Sequence, residues 1–223
     1  DILHAQVEFN YSNTRKSLAA VDHEKGYRWD IVASADRASN FVLPNLSDDS
    51  VIPKLRAGLD FGFALPWKHS SIWFYNSAGT ANGDRLNSLA YYYFGGFGNN
   101  YVDDRDVKRY RNFYSMPGFE IDEISAQKFV KSVAEWNLPP VRFESVGTPG
   151  FYLGWIRPAI FFAALKTDPG KSYDRWYSSA GLQLDLHFTV SHSHAMTLSV
   201  GYAAGFQSGN KRDDEIMISL KIL

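Results

Sequence analysis

Cysteine is absent from the 223 residues. That excludes a disulfide framework, a thiolate metal site and a cysteine nucleophile. No apolar run approaches the roughly 18 to 20 residues a membrane helix needs, so a helical membrane protein is excluded. A mean hydropathy of −0.28 leaves a membrane barrel open, because alternating strands keep the mean low. An excess of one charge is also missing. With 23 basic and 24 acidic residues the net charge is −1, which favours neither nucleic-acid binding nor a polybasic membrane surface. No G-x-S-x-G elbow or other nucleophile context is present, so neither an enzyme nor a cofactor is expected. The chain opens at Asp1 with neither an initiator methionine nor a signal peptide. A mature product or a fragment of a longer protein is the expectation.

What the chain has in quantity is aromatic residues (13 Tyr, 16 Phe and 6 Trp) and a period of two. Ala5, Val7, Phe9 and Tyr11 alternate with His4, Gln6, Glu8 and Asn10, the pattern of a strand with two unlike faces. Tyr27 to Asp36 and Leu55 to Leu65 repeat it, the latter stopped by Pro66. Residues 37–54 read as a loop. Further strands are expected at Ser71–Ser77, Leu89–Phe94 and Ala126–Asn137, where Lys131, Glu135 and Asn137 oppose Val130, Ala134 and Trp136. Phe151–Leu165 follows, interrupted by Pro158. Ala180, Leu182, Leu184, Leu186, Phe188 and Val190 then alternate with Gly181, Gln183, Asp185, His187 and Thr189. Met196–Phe206 and Ile216–Ile222 complete about ten strands.

Several of these strands are long enough to cross a tilted bilayer in about 9 to 11 residues, whereas strands of globular proteins average about five or six. Their second face carries Asp, Gln, His, Thr and Gly, as a wet lumen would. Tyr27, Trp29, Trp67, Trp73, Trp136 and Trp176 near strand ends suit interfacial aromatic girdles. The expected fold is therefore one antiparallel transmembrane β-barrel, with a soluble lipocalin-like barrel or sandwich as the other solution to this pattern. Gly95–Ile124 divides the chain. It has no period and is longer than ordinary loops, which marks it as a functional or a disordered segment.

Other candidate chemistry is sparse. His192 and His194 share a strand face but need further donors to hold a metal, and they read as a polar turn. His187 beside Asp185 lines the polar face. Asp103, Asp104, Arg105, Asp106, Lys108, Arg109 and Arg111 form a charge-alternating patch suited to lumen charges, a substrate or solvent.

Order and spacing bring a resemblance into view. Phe94-Gly95-Gly96-Phe97-Gly98 precedes a long loop with Met116-Pro117-Gly118-Phe119. Glu135 then stands before Leu138-Pro139-Pro140-Val141-Arg142-Phe143, followed by a Ser179-Ala180-Gly181-Leu182 strand and an amphipathic C-terminal strand. Over about residues 89–223 this resembles the end of the barrel in the bacterial surface antigen superfamily, outer-membrane proteins that insert or translocate other proteins. The resemblance implies the C-terminal part of a barrel of about sixteen strands, in the bacterial outer membrane. Its implied partners are outer-membrane lipid, other envelope proteins or an upstream part of the same polypeptide, and not nucleic acid. It also implies a lumen loop whose working residues would be Arg109, Arg111, Pro117, Gly118, Phe119, Glu120 and Asp122, facing Glu135, Asp185 and His187 on strands. The family carries an arginine immediately before the loop-tip glycine, where this chain has Pro117. The family's acidic partner strand corresponds to Phe161–Leu165, which has no acid. Arg109 and Arg111 are the candidate substitutes.

Overall fold

The period-two segments do form strands. The structure is a computed structural model that describes residues 2–38, 51–97, 107–144, 146–191, 193–208 and 210–222. The strands are β1 (Ile2–Arg15), β2 (Lys25–Ala38), β3 (Val51–Ala64), β4 (Ser71–Ala81), β5 (Tyr92–Phe94), β6 (Ile124–Ala126), β7 (Lys128–Asn137), β8 (Val141–Arg142), β9 (Gly147–Thr148), β10 (Phe151–Thr167), β11 (Arg175–Val190), β12 (His194–Gln207) and β13 (Asn210–Ile222). The main sheet runs β1-β2-β3-β4-β7-β10-β11-β12-β13, with β8 and β9 extending the pairing of β10. Every pair in it is antiparallel.

Three expectations change. Among the described residues nine strands, not about ten, make the path of the sheet, because the segment expected at Leu89–Phe94 leaves it: Ser88–Ala90 is a 3-10 turn and β5 pairs there only with β6. The loop expected at 37–54 is shorter within the described residues, since β2 continues to Ala38 and β3 starts at Val51. Pro158 does not interrupt β10. Its carbonyl accepts the Leu138 N–H at 3.1 Å, where β7 has ended and β8 takes over as the partner of Ile156. The missing N–H thus falls between two ladders, which is where a strand tolerates proline.

The sheet is not closed. Among the described residues β1 pairs only with β2 and β13 only with β12. An odd number of antiparallel strands leaves these two edge strands running in the same direction.

The two faces are inverted relative to a water-soluble sheet, whose apolar face would be the buried one. Val7, Phe9, Leu59, Phe63, Leu182, Ile216, Ile218 and Leu220 stand exposed on the apolar face, while Lys131, Glu135, Gln183, Asp185 and Ser199 are buried on the polar one. What buries them is the segment between β4 and β7. It enters beside Phe129, where Phe94 meets Phe129 edge-on at 4.8 Å, and Phe113 lies 6.3 Å from the same ring. Deeper in, Tyr110 stacks on Phe161 at 4.1 Å.

The insert pairs part of its backbone internally, as in Gly96 N–H to Phe119 and Met116 N–H to Gly96, and the wall satisfies several of the remaining groups. The Lys131 ammonium donates to the carbonyls of Asn112, Phe113 and Ser115. Glu215 on β13 accepts the N–H groups of Phe97 and Gly118, each at 3.1 Å. One cation therefore holds residues 112–115, and one carboxylate ties Phe97 and Gly118 together.

Gly118 sits with φ +85° against the backbone of Ala204 and Gly205, with no room for a Cβ. Gly118→Ala is expected to loosen the docked insert by about 1–3 kcal/mol. Faster modification of a cysteine introduced at the buried Pro117, compared with the same cysteine beside Gly118, would show it. An unchanged rate would remove this glycine from the docking contact.

Candidate functional site

The insert reaches the end of β7 opposite to where it enters, and there it meets a turn from the far side of the sheet. A 3-10 turn, Arg109–Arg111, aims Arg111 at β7. Its guanidinium grips Glu135 through two bonds, Nε to Oε2 at 2.7 Å and Nη2 to Oε1 at 2.6 Å. This two-pronged geometry is the strong form of a charged hydrogen bond. Lys108 adds a third donor to Glu135 at 3.0 Å and also donates to Asn137. Both Lys108 and Glu135 are fully buried.

The β1–β2 turn supplies the second carboxylate. Asp22 accepts Arg111 Nη2 at 2.7 Å and lies 3.2 Å from Nη1 of Arg157 on β10. Nη1 lacks hydrogen-bond alignment there, so that contact is an ion pair by distance alone. The other arm of Arg157 donates to Asp185 on β11 at 3.1 Å. Asp185 also accepts Gln183 at 2.6 Å and Ser199 at 2.8 Å. His23 anchors the turn itself, its carbonyl accepting the Trp73 indole N–H at 3.0 Å. Three cations (Lys108, Arg111, Arg157) thus face three carboxylates (Asp22, Glu135, Asp185), and the cluster is neutral. That balance is what makes its burial tolerable.

Electrostatics within the cluster follow from this packing. Burial alone would raise the Asp22 carboxyl, but Arg111 and Arg157 outweigh it and hold the group well below the usual carboxylate range. Burial, aided by the neighbouring Arg157, pushes the Lys108 ammonium down to about 8, with Glu135 opposing. The cluster holds its charges in fixed places.

The candidate residues divide. Arg111, Glu135 and Asp185 come together, and Arg109 is buried on the same turn. Pro117, Gly118 and Phe119 form the buried tip against β12, with Phe119 edge-on to Tyr177 at 5.7 Å. Glu120 and Asp122 are exposed, and Asp122, at φ 59°, serves a turn. His187 does not join Asp185: it stacks on Trp155 at 5.2 Å, while Asp185 takes Arg157. In the Phe161–Leu165 stretch, which has no acid, Phe161 stacks on Tyr110. His192 and residues 103–106 lie outside the described residues. Lys108 was read only as part of the charge-alternating patch, and Asp22 and Arg157 escaped the sequence reading. Asp22 sits in an ordinary polar turn, and nothing in its neighbours says that the turn folds inward.

Removing one partner should be worse than removing both. Glu135→Ala leaves two buried cations and is expected to cost about 3–5 kcal/mol, while a Glu135→Met/Arg111→Met pair costs less than the sum of its single changes. Denaturant midpoints of the four proteins measure the coupling, and additive losses would mean that the pair is not coupled. Because Asp22 is harder to protonate when docked than when free, its contribution is complete above the ordinary carboxylate pKa of about 4 and declines as pH falls below it. Asp22→Asn should therefore lower the neutral plateau and flatten the acid limb of the stability profile, leaving the shape of the neutral-to-alkaline part unchanged.

No family model, curated protein or solved structure matches this chain.

Proposed function

We propose that this chain forms part of the wall of a bacterial outer-membrane β-barrel that acts, without catalytic chemistry, in inserting or translocating other proteins. The observation that carries the membrane part is the inverted sheet: large apolar side chains exposed along one face, with paired charges buried under the insert on the other. In water such a face is a liability; against lipid it is what a barrel needs. A belt of aromatic contacts at the end opposite the insert's entrance supports the same reading. Tyr11 lies against Tyr27 and Trp29, Trp67 stacks on Trp136 at 5.9 Å, and Phe151 stacks on Phe188 at 5.4 Å. Trp73, expected in that belt, is instead buried, its indole N–H donated to the His23 carbonyl of the β1–β2 turn.

Unpaired strand edges are not tolerated in lipid. Since β1 and β13 run in the same direction, an odd number of further strands closes an antiparallel barrel, in keeping with the even counts of bacterial barrels. Those strands would come from the same polypeptide or an envelope partner. The insert then occupies the lumen, and Arg111–Glu135 stands in for the ion pair of the superfamily. The transport role rests on the ordered motifs around this insert.

Leu182, half exposed in the middle of β11, separates membrane from water. Leu182→Arg should cost about 2–4 kcal/mol at a bilayer midplane and reduce the heat-modifiable, membrane-extracted form. On a water-facing surface the same change stays within about 0.5 kcal/mol. Unimpaired accumulation as a protein that needs no detergent would overturn the barrel.

A second reading, a diffusion or structural barrel, is favoured by a cavity of about 210 Å³ between the insert and the wall, lined by Arg28, Asp30, Arg56, Asp60 and Arg111 among others. Discrete conductance in planar bilayers, with no effect of the chain on assembly of other outer-membrane proteins, would select this reading over the first.

A further inference from the structure

At the mouth where the insert enters, a second cavity of about 330 Å³ opens between the 85–91 loop, the base of the insert and the turn from β10 to β11. Its lining includes Tyr91, Tyr173, Tyr177, Arg85, Arg175 and Gln127, and none of its side chains is aliphatic. Ligand pockets are ordinarily mostly apolar with a few placed polar groups. This one offers tyrosine faces and planar hydrogen-bonding groups, with nothing to anchor a lipid tail or an aliphatic side chain. A sugar ring matches that combination, because its C–H faces stack on aromatic rings while its hydroxyl rim takes paired hydrogen bonds.

The charges specify the ligand further. Both lining carboxylates are engaged: Glu123 is held by Arg212 at 3.1 Å, and Asp168 accepts the Lys128 N–H at 3.0 Å. The Arg85 guanidinium lies over the Tyr173 ring at 3.9 Å. Neither Arg85 nor Arg175 has an ion-pair partner among the described residues. Arg85 and Tyr173 belong to different loops yet form one wall, and the other wall, Glu123, Ser125 and Gln127, is the insert's own return strand.

We propose that this cavity binds a saccharide carrying one anionic group, a phosphate or carboxylate. The ring stacks on Tyr173 and Tyr177, and the anion meets Arg85 and Arg175. The site stands on the cavity alone and holds whether or not the chain transports proteins.

Titration of the full chain in detergent with glucose 6-phosphate, glucose and inorganic phosphate, followed by calorimetry, tests this. The sugar phosphate should bind at least about tenfold more tightly than either of the others. Arg175→Ala and Tyr173→Ala, both at exposed positions, should each weaken it about tenfold with the circular dichroism spectrum unchanged. Equal binding of inorganic phosphate would reduce the site to an anion patch and overturn the saccharide. Equal binding of glucose would overturn the anionic requirement. No binding by any of the three, or full binding by both variants, would overturn the site.

Discussion

The structure depends on the neutralisation of Glu135. A carboxylate fully buried on a strand is untenable alone, and this one is met by Arg111 through two bonds and by Lys108 through a third. Those two cations are far from β7 in sequence and arrive only because the insert crosses the polar face. Docking the insert and satisfying the wall are therefore one event. Without the insert Glu135 loses both its cations, and without the wall Lys108 and Arg111 lose their carboxylates.

Asp22 extends this coupling to a third element. By accepting Arg111 and lying beside Arg157, it ties the β1–β2 turn to both the insert and β10. The β1 edge has β2 as its only strand neighbour among the described residues, so this carboxylate gives the edge hairpin a second attachment, across the sheet. The remaining polar face of β2 and β3 is stitched by cross-strand pairs instead, Arg28 with Asp60 and Arg56 with Asp30. There the insert stands off the wall across a cavity, and the charges keep partial contact with solvent.

Aromatic packing does the rest of the insert's docking. Tyr110 on Phe161, and Phe94 and Phe113 around Phe129, occupy positions between the charged contacts. The polar ties set where the insert lies, since each needs a particular geometry. The rings fill the space between with area that is less demanding of register. Lys131 and Glu215 complete the arrangement by taking up backbone carbonyls and N–H groups that an irregular segment cannot pair internally.

How much was legible follows from the range of each signal. Alternation is a property of neighbours in sequence, so strands such as Ala180–Val190, and the placement of Glu135 and Asp185 on the polar face, could be read directly. The Gly95–Ile124 divider was legible as an interruption of that period. The Leu89–Phe94 strand was misread because its tyrosines have strand propensity wherever they pair, and they pair with β6 rather than with the sheet. Pro158 was misread because the cost of a proline depends on whether a neighbour needs its N–H, which is a fact about β7 and β8. Which cation meets Glu135, that Asp22 turns inward, and that His187 leaves Asp185 for Trp155 were decided by tertiary structure alone. Charge pairing is a contact between residues distant in the chain, and sequence carries no local trace of it. The sequence by itself determined two unlike faces on each strand. Only the fold decided which face is covered, by what, and with which charges matched.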